Sequence, residues 1–115
     1  MRVSSYAFGK IVVDGETHTS DVIIHPDRVD GSWWRKEGHL LQLEDLGKVL
    51  DSGADTLVVG TGYYGRMVVP EEVLEFVKSR GIKPIVAPTE EAVNLFNELG
   101  SDPKRRVVAA FHLTC

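Results

Sequence analysis

The stretch TLVVGTGYYGRMVVP, residues 56 to 70, decides the fold, because an apolar strand runs directly into a glycine-rich loop there. The apolar run over residues 55–60 is typical of a buried strand. Gly60, Gly62 and Gly65 then follow with the G-x-G-x-x-G spacing of a dinucleotide-binding turn. The first question is therefore whether this loop binds a nucleotide cofactor.

The surroundings of the glycines argue against a dinucleotide site. Such a site needs a helix that opens within the motif, so that its free N–H groups meet the pyrophosphate. Here the next helix is predicted to open only at Pro70, which has no N–H, and Glu71 and Glu72 would repel a phosphate. The following strand, IKPIVA, also lacks the acidic residue that would hold a ribose. We therefore predict no cofactor.

The second half of the chain alternates strands and helices. Pro70 opens one helix that ends at Gly81, and Thr89 is predicted to cap a second that ends at Gly100. The last stretch, RRVVAAFHLTC, is apolar on both faces of a strand, which predicts a central position in the sheet. The residues predicted to face the core from the two helices are Val73, Phe76, Val77, Ala92, Leu95, Phe96 and Leu99.

The first half predicts a hairpin and a short helix. The β-rich runs 6–13 and 18–25 flank Asp14-Gly15, a pair that adopts the positive φ values of a tight turn. A helical stripe over 43–50 is predicted to end at Gly53, although Gly47 interrupts it. We predict one α/β domain over residues 1–115, with a central mixed β-sheet packed by helices and an N-terminal β-hairpin.

The composition excludes several classes of protein. The apolar and charged fractions of 43% and 26% are typical of a globular protein. A net charge of −4 argues against nucleic-acid and anionic-membrane binding. One cysteine excludes an internal disulfide framework, and the N-terminal apolar residues alternate like a strand rather than forming a signal sequence. These features predict a cytoplasmic protein; they predict no oligomeric state.

The glycine loop can still form a binding crevice. If the strands at 55–60 and 83–87 are parallel neighbours, their carboxyl ends lie together, where open α/β sheets bind ligands. Exposed loop N–H groups would form an anion nest there. A structural explanation stays open, in which the glycines supply positive φ, the tyrosines cover the sheet edge and Thr89 only caps its helix. The candidate ligand-binding residues are Gly60, Thr61, Gly62, Tyr63, Tyr64, Arg66, Thr89 and Arg35.

The segment WWRK offers a second candidate contact. In an extended chain, Trp33 and Arg35 point to one side and Trp34 to the other. Trp33 and Arg35 could then stack and bind an anion together. The structural alternative is that one side chain belongs to the core and the other to the surface. Trp34 is the candidate anchor for a protein partner.

The C-terminal HLTC suggests two kinds of chemistry, neither of which we favour. His112 and Cys115 supply only two metal ligands, while zinc usually takes three or four. As a nucleophile pair they would point to opposite faces of a regular strand. The carboxylates Asp21, Asp27 and Asp30 lie near a strand end and turn, where aspartate is common for structural reasons. We predict no metal site and lean against an enzyme.

Taken together, six segments of the sequence resemble the corresponding segments of one known protein family. It comprises small domains of unknown function and includes the adipogenesis-associated domain-containing protein and mitochondrial complex I assembly factor 3. The resemblance implies a single α/β domain with a mixed sheet, no established catalytic residue or cofactor, and action through protein partners. It is carried, in order, by WWR (33–35), GH (38–39), VVGTGYYGRMVVP (58–70), GI (81–82), TEEAVNLFN (89–97) and VVAAFHLTC (107–115).

Two functions follow from these observations. The leading hypothesis is a small soluble binding or assembly module that acts through protein contacts. The alternative is a domain that binds, or acts on, a small anionic ligand in the crevice between the loop 60–66 and Thr89.

Overall fold

A computed structural model describes residues 1–115 as two sheets and three helices. An antiparallel sheet has the order β1-β2-β3, and a mixed sheet has the order β5-β4-β8-β6-β7. No helix has the length and apolar character needed to cross a membrane. The elements are β1 (Val3–Ala7), β2 (Lys10–Val13), β3 (Glu16–His18), β4 (Val22–Ile24), β5 (Val29–Asp30), α1 (Leu43–Leu46), β6 (Thr56–Thr61), α2 (Glu71–Ser79), β7 (Lys83–Ala87), α3 (Thr89–Gly100) and β8 (Val107–His112).

Strand β8 is the centre of the mixed sheet. It pairs antiparallel with β4 on one side and parallel with β6 on the other, and every one of its residues is buried. The predicted central position of this strand is therefore confirmed. Strands β6 and β7 are parallel, with Gly60 opposite Ala87, so their carboxyl ends lie side by side as expected.

The mixed sheet has a hydrophobic layer on each face, because successive residues of its strands point to opposite sides. Ala109 and Phe111 of β8 face one layer, and Val108 and Ala110 face the other. Helix α3 and the three-stranded sheet cover the first layer, and α2 with segment 33–49 covers the second. The predicted α/β domain, with a mixed sheet packed by helices, is confirmed.

The N-terminal hairpin forms around the predicted turn, with φ values of +49° at Asp14 and +81° at Gly15. Its predicted strands were too long. The run 6–13 contains a second turn before β2, and the run 18–25 divides between β3 and β4. The physical reason is burial: the three residues of β4 are buried on both faces and pair with β8, which requires the interior of the larger sheet.

The helix predicted over 43–50 is shorter than expected. It ends as α1 at Leu46, and a 3-10 turn over Gly47–Val49 follows. Gly47 has φ +22°, outside the right-handed helical region, so the glycine interrupts the helix. Leu46 and Val49 are nevertheless buried, because the irregular segment still packs on the sheet.

Two details of the longer helices were wrong. Thr89 does not cap α3; it is the first helical residue after Pro88, and its hydroxyl bonds elsewhere. Phe76 was placed in the buried stripe of α2 but is 39% exposed, whereas Val73 and Val77 are buried. The helix therefore contacts the sheet through a narrower stripe than its apolar residues suggested.

Replacement of Phe111 by alanine is expected to lower the free energy of unfolding by about 3–5 kcal/mol. Phe111 is fully buried in the central strand and packs edge-to-face on Phe96 at 5.9 Å. Denaturant unfolding at constant m value measures the change. The matched control is Val86→Ala on edge strand β7, where the side chain is 40% exposed, with an expected loss below about 1 kcal/mol. Equal losses at the two sites would contradict the central role of β8.

Candidate functional site

The glycine loop begins where β6 passes close beneath α3. A Cβ atom at Gly60 would lie 2.7 Å from Thr89 Oγ1 and 2.9 Å from Phe111 Cδ1, so no larger residue fits without displacing them. At Gly62, with φ +105°, a Cβ atom would lie 2.6 Å from the Thr114 carbonyl oxygen. These two glycines therefore serve close packing, in line with the structural explanation of the motif.

Thr89 connects the loop, α3 and β8. Its buried hydroxyl donates to the His112 carbonyl oxygen at 2.6 Å and accepts from the Gly62 amide at 2.9 Å. The Thr89 amide donates back to the Gly62 carbonyl oxygen at 3.0 Å. Thr61 extends the connection by donating to the Ala87 carbonyl oxygen at 3.2 Å. The loop is therefore held rigidly at the carboxyl end of the sheet.

The residues that follow β8 accept hydrogen bonds from two amides of the predicted crevice. The Tyr63 amide donates to the Thr114 carbonyl oxygen at 2.7 Å, and the Arg66 amide donates to that of Cys115 at 3.3 Å. None of the eight predicted ligand-binding residues lines any of the five cavities of the structure. The anion crevice stays a prediction, and a ligand there would have to displace Thr114 and Cys115.

Arg35 lies in a buried polar cluster and is connected to Thr89, another predicted ligand-binding residue, through His112. Its guanidinium donates to Asp21 Oδ2 at 2.8 Å and to the Gly38 carbonyl oxygen at 3.0 Å. It also stacks 4.7 Å from the centre of the Trp33 ring. Trp33 and Arg35 are buried while Trp34 is 78% exposed, which confirms the predicted alternation along this segment.

Asp21 is the acceptor at the centre of this cluster. Its Oδ2 atom also accepts from His112 Nδ1 at 2.8 Å, and its Oδ1 atom accepts from the Leu113 amide at 2.8 Å. Burial alone would raise the pKa of Asp21, but the hydrogen bonds from His112, the Leu113 amide and Arg35 outweigh it and lower the pKa. The carboxylate is therefore ionised and compensates the buried charge of Arg35.

The imidazole of His112 is oriented by this contact. Its Nδ1 atom lies 2.8 Å from Asp21 Oδ2 and 2.9 Å from a guanidinium nitrogen of Arg35. The tautomer with a proton on Nδ1 donates to the carboxylate, and the other tautomer accepts from the guanidinium. Its Nε2 atom is buried without a hydrogen-bond partner. The ring also meets that of His39 edge-on, at 6.1 Å between ring centres.

Cys115 contacts this cluster through His39. Its Sγ atom lies 3.5 Å from His39 Nε2, so the partner of the thiol is His39 rather than the His112 suggested by the sequence. No group of three or more histidine, cysteine, aspartate or glutamate side chains is arranged to hold a metal ion.

Aromatic side chains gather on the outside of the glycine loop. Tyr63 and Tyr64 pack edge-to-face at 5.1 Å, and Phe8 from the turn after β1 lies 5.8 Å and 6.1 Å from them. The guanidinium of Arg66 lies 5.7 Å from the centre of the Tyr64 ring. Phe8, Tyr63 and Tyr64 are 51%, 43% and 64% exposed. We call Phe8, Tyr63, Tyr64 and Arg66 the aromatic surface.

Asp21 and Phe8 were not predicted as parts of these sites. Asp21 was assigned to a strand end, yet its partners Arg35 and His112 lie 14 and 91 residues away in the sequence. Phe8 reaches the loop only because β1 and β2 fold back beside β8, where the Gly9 amide donates to the Leu113 carbonyl oxygen. No local pattern signals either contact, since both depend on strand order.

Fold and loop geometry together define a compact α/β domain whose mixed sheet is centred on the last strand. The chain belongs to the family described as "Protein of unknown function (DUF498/DUF598)", whose model matches residues 3–112. This finding supports the family-level resemblance found in the sequence. The match is to the family as a whole and not to the two eukaryotic members named above, so the resemblance to those two proteins stays a prediction.

Solved structures share this fold. Conserved hypothetical protein PH1505 from Pyrococcus horikoshii OT3 is 32% identical, with complete coverage of both chains and a TM-score of 0.83. Rpa2829 from Rhodopseudomonas palustris is 27% identical over 95% of this chain and 80% of its own, with a TM-score of 0.75. A Bordetella pertussis protein described as an Mth938-like domain is 20% identical over 97% and 85%, with a TM-score of 0.77, and shows the fold alone.

Replacement of Asp21 by asparagine is expected to lower the free energy of unfolding at pH 7 by about 3–5 kcal/mol, because it leaves Arg35 buried without a counter-charge. Because folding lowers the pKa of Asp21, its stabilising effect is complete above the unfolded pKa of about 3.9 and is lost as the pH falls through the folded-state value. Denaturant unfolding from pH 7 to pH 2 measures both effects.

The control for this substitution is Asp51→Asn, since Asp51 forms an exposed ion pair with Arg80 at 2.7 Å. Its expected cost is at most about 1 kcal/mol. A difference between wild type and Asp21→Asn that stays constant at acid pH would show that the charge of Asp21 is not responsible.

Replacement of Thr89 by valine is expected to destabilise the protein by about 1–3 kcal/mol for each buried group left unpaired, here the Gly62 amide and the His112 carbonyl. Thr89→Ser keeps the hydroxyl and is the matched control. Hydrogen exchange at the Gly62 amide reports the local effect, and faster exchange is expected in the valine variant only. Unchanged exchange in Thr89→Val would refute the role of this hydroxyl.

Proposed function

We propose that this protein is a non-catalytic binding module that contacts a partner protein through the aromatic surface. The observation that carries the proposal is the grouping of three exposed aromatic side chains with an arginine on one rigid loop edge. Tyrosine and arginine are enriched among residues that dominate protein–protein binding energies. A grouped apolar surface of this kind is typical of interaction sites, whereas scattered exposed residues are not.

The charge of Arg66 indicates the chemistry of the partner. Arg66 forms no ion pair within the chain, so its guanidinium is free to bind a carboxylate beside the tyrosine rings. The occupant we propose is therefore a protein segment that carries an apolar or aromatic side chain next to an aspartate or glutamate. The apolar group would pack on Phe8 and Tyr64 while the carboxylate pairs with Arg66.

The surface is preorganised, which favours binding because little conformational entropy is lost. Tyr6 lies beneath it, 6.3 Å from the Tyr63 ring, and donates to the Leu113 carbonyl oxygen at 2.9 Å. Burial raises the pKa of Tyr6 to about 12, so its hydroxyl remains a donor. The Tyr63 amide is fixed to Thr114 as well. These two hydrogen bonds, from the Tyr6 hydroxyl and the Tyr63 amide, fix the aromatic rings relative to the segment after β8.

Trp34 is a second candidate contact. Its ring is 78% exposed, but no aromatic side chain pairs with it, so it offers a single group rather than a surface. We propose it as a secondary contact, and its contribution is measured separately from that of the aromatic surface.

Affinity capture from native lysate tests the proposal, followed by titration of the purified partner. Tyr64→Ala is expected to weaken the partner's binding at least about tenfold, the loss typical of a central interface residue. Phe76→Ala on α2 is the matched control, because Phe76 is an exposed aromatic residue outside the aromatic surface. Arg66→Gln is expected to lower the affinity only for a partner that supplies a carboxylate.

Two results with Tyr64→Ala would refute the proposal, and a third result concerns Trp34→Ala. One is a partner whose dissociation constant is the same for wild type and Tyr64→Ala. The other is equal weakening by Tyr64→Ala and Phe76→Ala, which would indicate general instability. A loss confined to Trp34→Ala would place the interface on the Trp34 side of the molecule and would remove the aromatic surface from it.

A further inference from the structure

A polar groove lies at the opposite end of the mixed sheet from the glycine loop. It has a volume of about 530 Å³ and is formed by the turn after β4, the segment after α1 and the residue before β8. A neighbouring cavity of about 330 Å³ shares His25, Arg28 and Lys48 with it and reaches Trp34. The groove itself is lined by His25, Pro26, Asp27, Arg28, Lys48, Asp51, Ser52 and Arg106.

The groove concentrates positive charge in a chain whose net charge is −4. Lys48 and Arg106 line it without a side-chain ion pair, and Arg28 contacts only the exposed Asp27, at 3.4 Å. The second acidic residue of the groove, Asp51, is already paired with Arg80 at 2.7 Å. Three cations from separate segments therefore face the groove together with the two carboxylates. Asp55, which does not line the groove, accepts from the Arg106 amide at 2.9 Å and attracts the Arg106 charge, so Lys48 is the cation with no acidic neighbour of this kind.

His25 is the most unusual residue of the groove. It is 6% exposed, and its imidazole has no hydrogen-bond or ion-pair partner in the protein, although it lines the groove. Burial and the nearby Arg28 lower its pKa, so the ring is neutral at neutral pH. The enclosed side-chain polar atoms without a partner belong to other residues, so the ring nitrogens of His25 are open to the groove. A ligand in the groove can therefore form a hydrogen bond with the imidazole.

Trp34 supplies an aromatic face beside the cations. Its neighbour Trp33 is not free to stack, because its Nε1 atom donates to the Asp45 carbonyl oxygen at 2.9 Å and its ring lies against Arg35. Trp34 is 78% exposed and lines the cavity that also contains Arg28 and Lys48. A planar ring stacked on Trp34 could therefore belong to the same ligand as an anion in the groove.

We propose that this groove binds a nucleotide-like ligand, a phosphate monoester that carries a planar ring. Lys48, Arg106 and Arg28 bind the phosphate oxygens, and the His25 imidazole donates one further hydrogen bond. The planar ring stacks on Trp34. This site differs in position from the glycine loop, whose amides are bonded to the segment after β8. It shares Trp34 with the secondary protein contact proposed above, and it contains no residue of the aromatic surface.

The test is a titration of the ¹⁵N-labelled protein with AMP, ribose 5-phosphate and inorganic phosphate, followed by two-dimensional NMR. We expect saturable shifts at residues 25–28, 48, 51–52 and 106 with all three probes. AMP is expected to bind about tenfold more tightly than ribose 5-phosphate, because only AMP has a ring to stack on Trp34. Trp34→Ala is expected to abolish that difference while leaving the affinity for phosphate unchanged.

Charge variants separate a specific site from general attraction. Lys48→Gln and Arg106→Gln are each expected to weaken phosphate binding about tenfold, the effect of losing one charge-assisted hydrogen bond. Lys83→Gln, which removes the same charge from exposed edge strand β7, is the matched control and should leave binding unchanged. Absence of saturable shifts at 10 mM probe, about the limit of weak binding, would overturn the proposal. So would shifts confined to residues 60–66 or equal losses in all three charge variants.

Discussion

The carboxylate of Asp21 is the interaction on which the carboxyl end of the sheet depends. It joins the residue before β4 to Arg35 and to the end of β8, through the His112 ring and the Leu113 amide. Because Arg35 is buried, its charge is tolerated only beside this counter-charge. The WWRK segment is thereby fixed against the sheet, which places Trp33 in the core and leaves Trp34 outside.

The same end of β8 also organises the glycine loop. The carbonyl oxygen of His112 accepts from Thr89, and that of Thr114 accepts from the Tyr63 amide. The residues after β8 therefore accept hydrogen bonds from the loop amides, and the tyrosine rings of the loop contact Phe8. A loop with the glycine spacing of a cofactor site becomes the rigid support of an aromatic surface. The glycines are required because β6, α3 and the last residues approach so closely.

The two ends of the mixed sheet differ in chemistry. The carboxyl end of β6 and β8 carries the buried charges of Asp21 and Arg35 and, on the glycine loop, the aromatic surface for which we propose an apolar and acidic partner. The opposite end carries cations and a buried imidazole around an open groove, which suits a small anion. Both proposed sites are built by segments distant in sequence and brought together by β8.

The sequence by itself determined the elements whose signals are local. Apolar periodicity and glycine stops predicted α2, α3, the strands β6 and β7 and the central strand β8, and Asp14-Gly15 predicted its turn. Only the tertiary structure decided what the polar residues do. Arg35 was expected near the loop but pairs with Asp21, and Thr89 was expected to cap a helix but bonds to His112. Apolar periodicity indicates which side of a helix or strand is buried. The hydrogen-bond partners of Arg35 and Thr89 depend instead on strand order and on contacts between segments distant in the sequence.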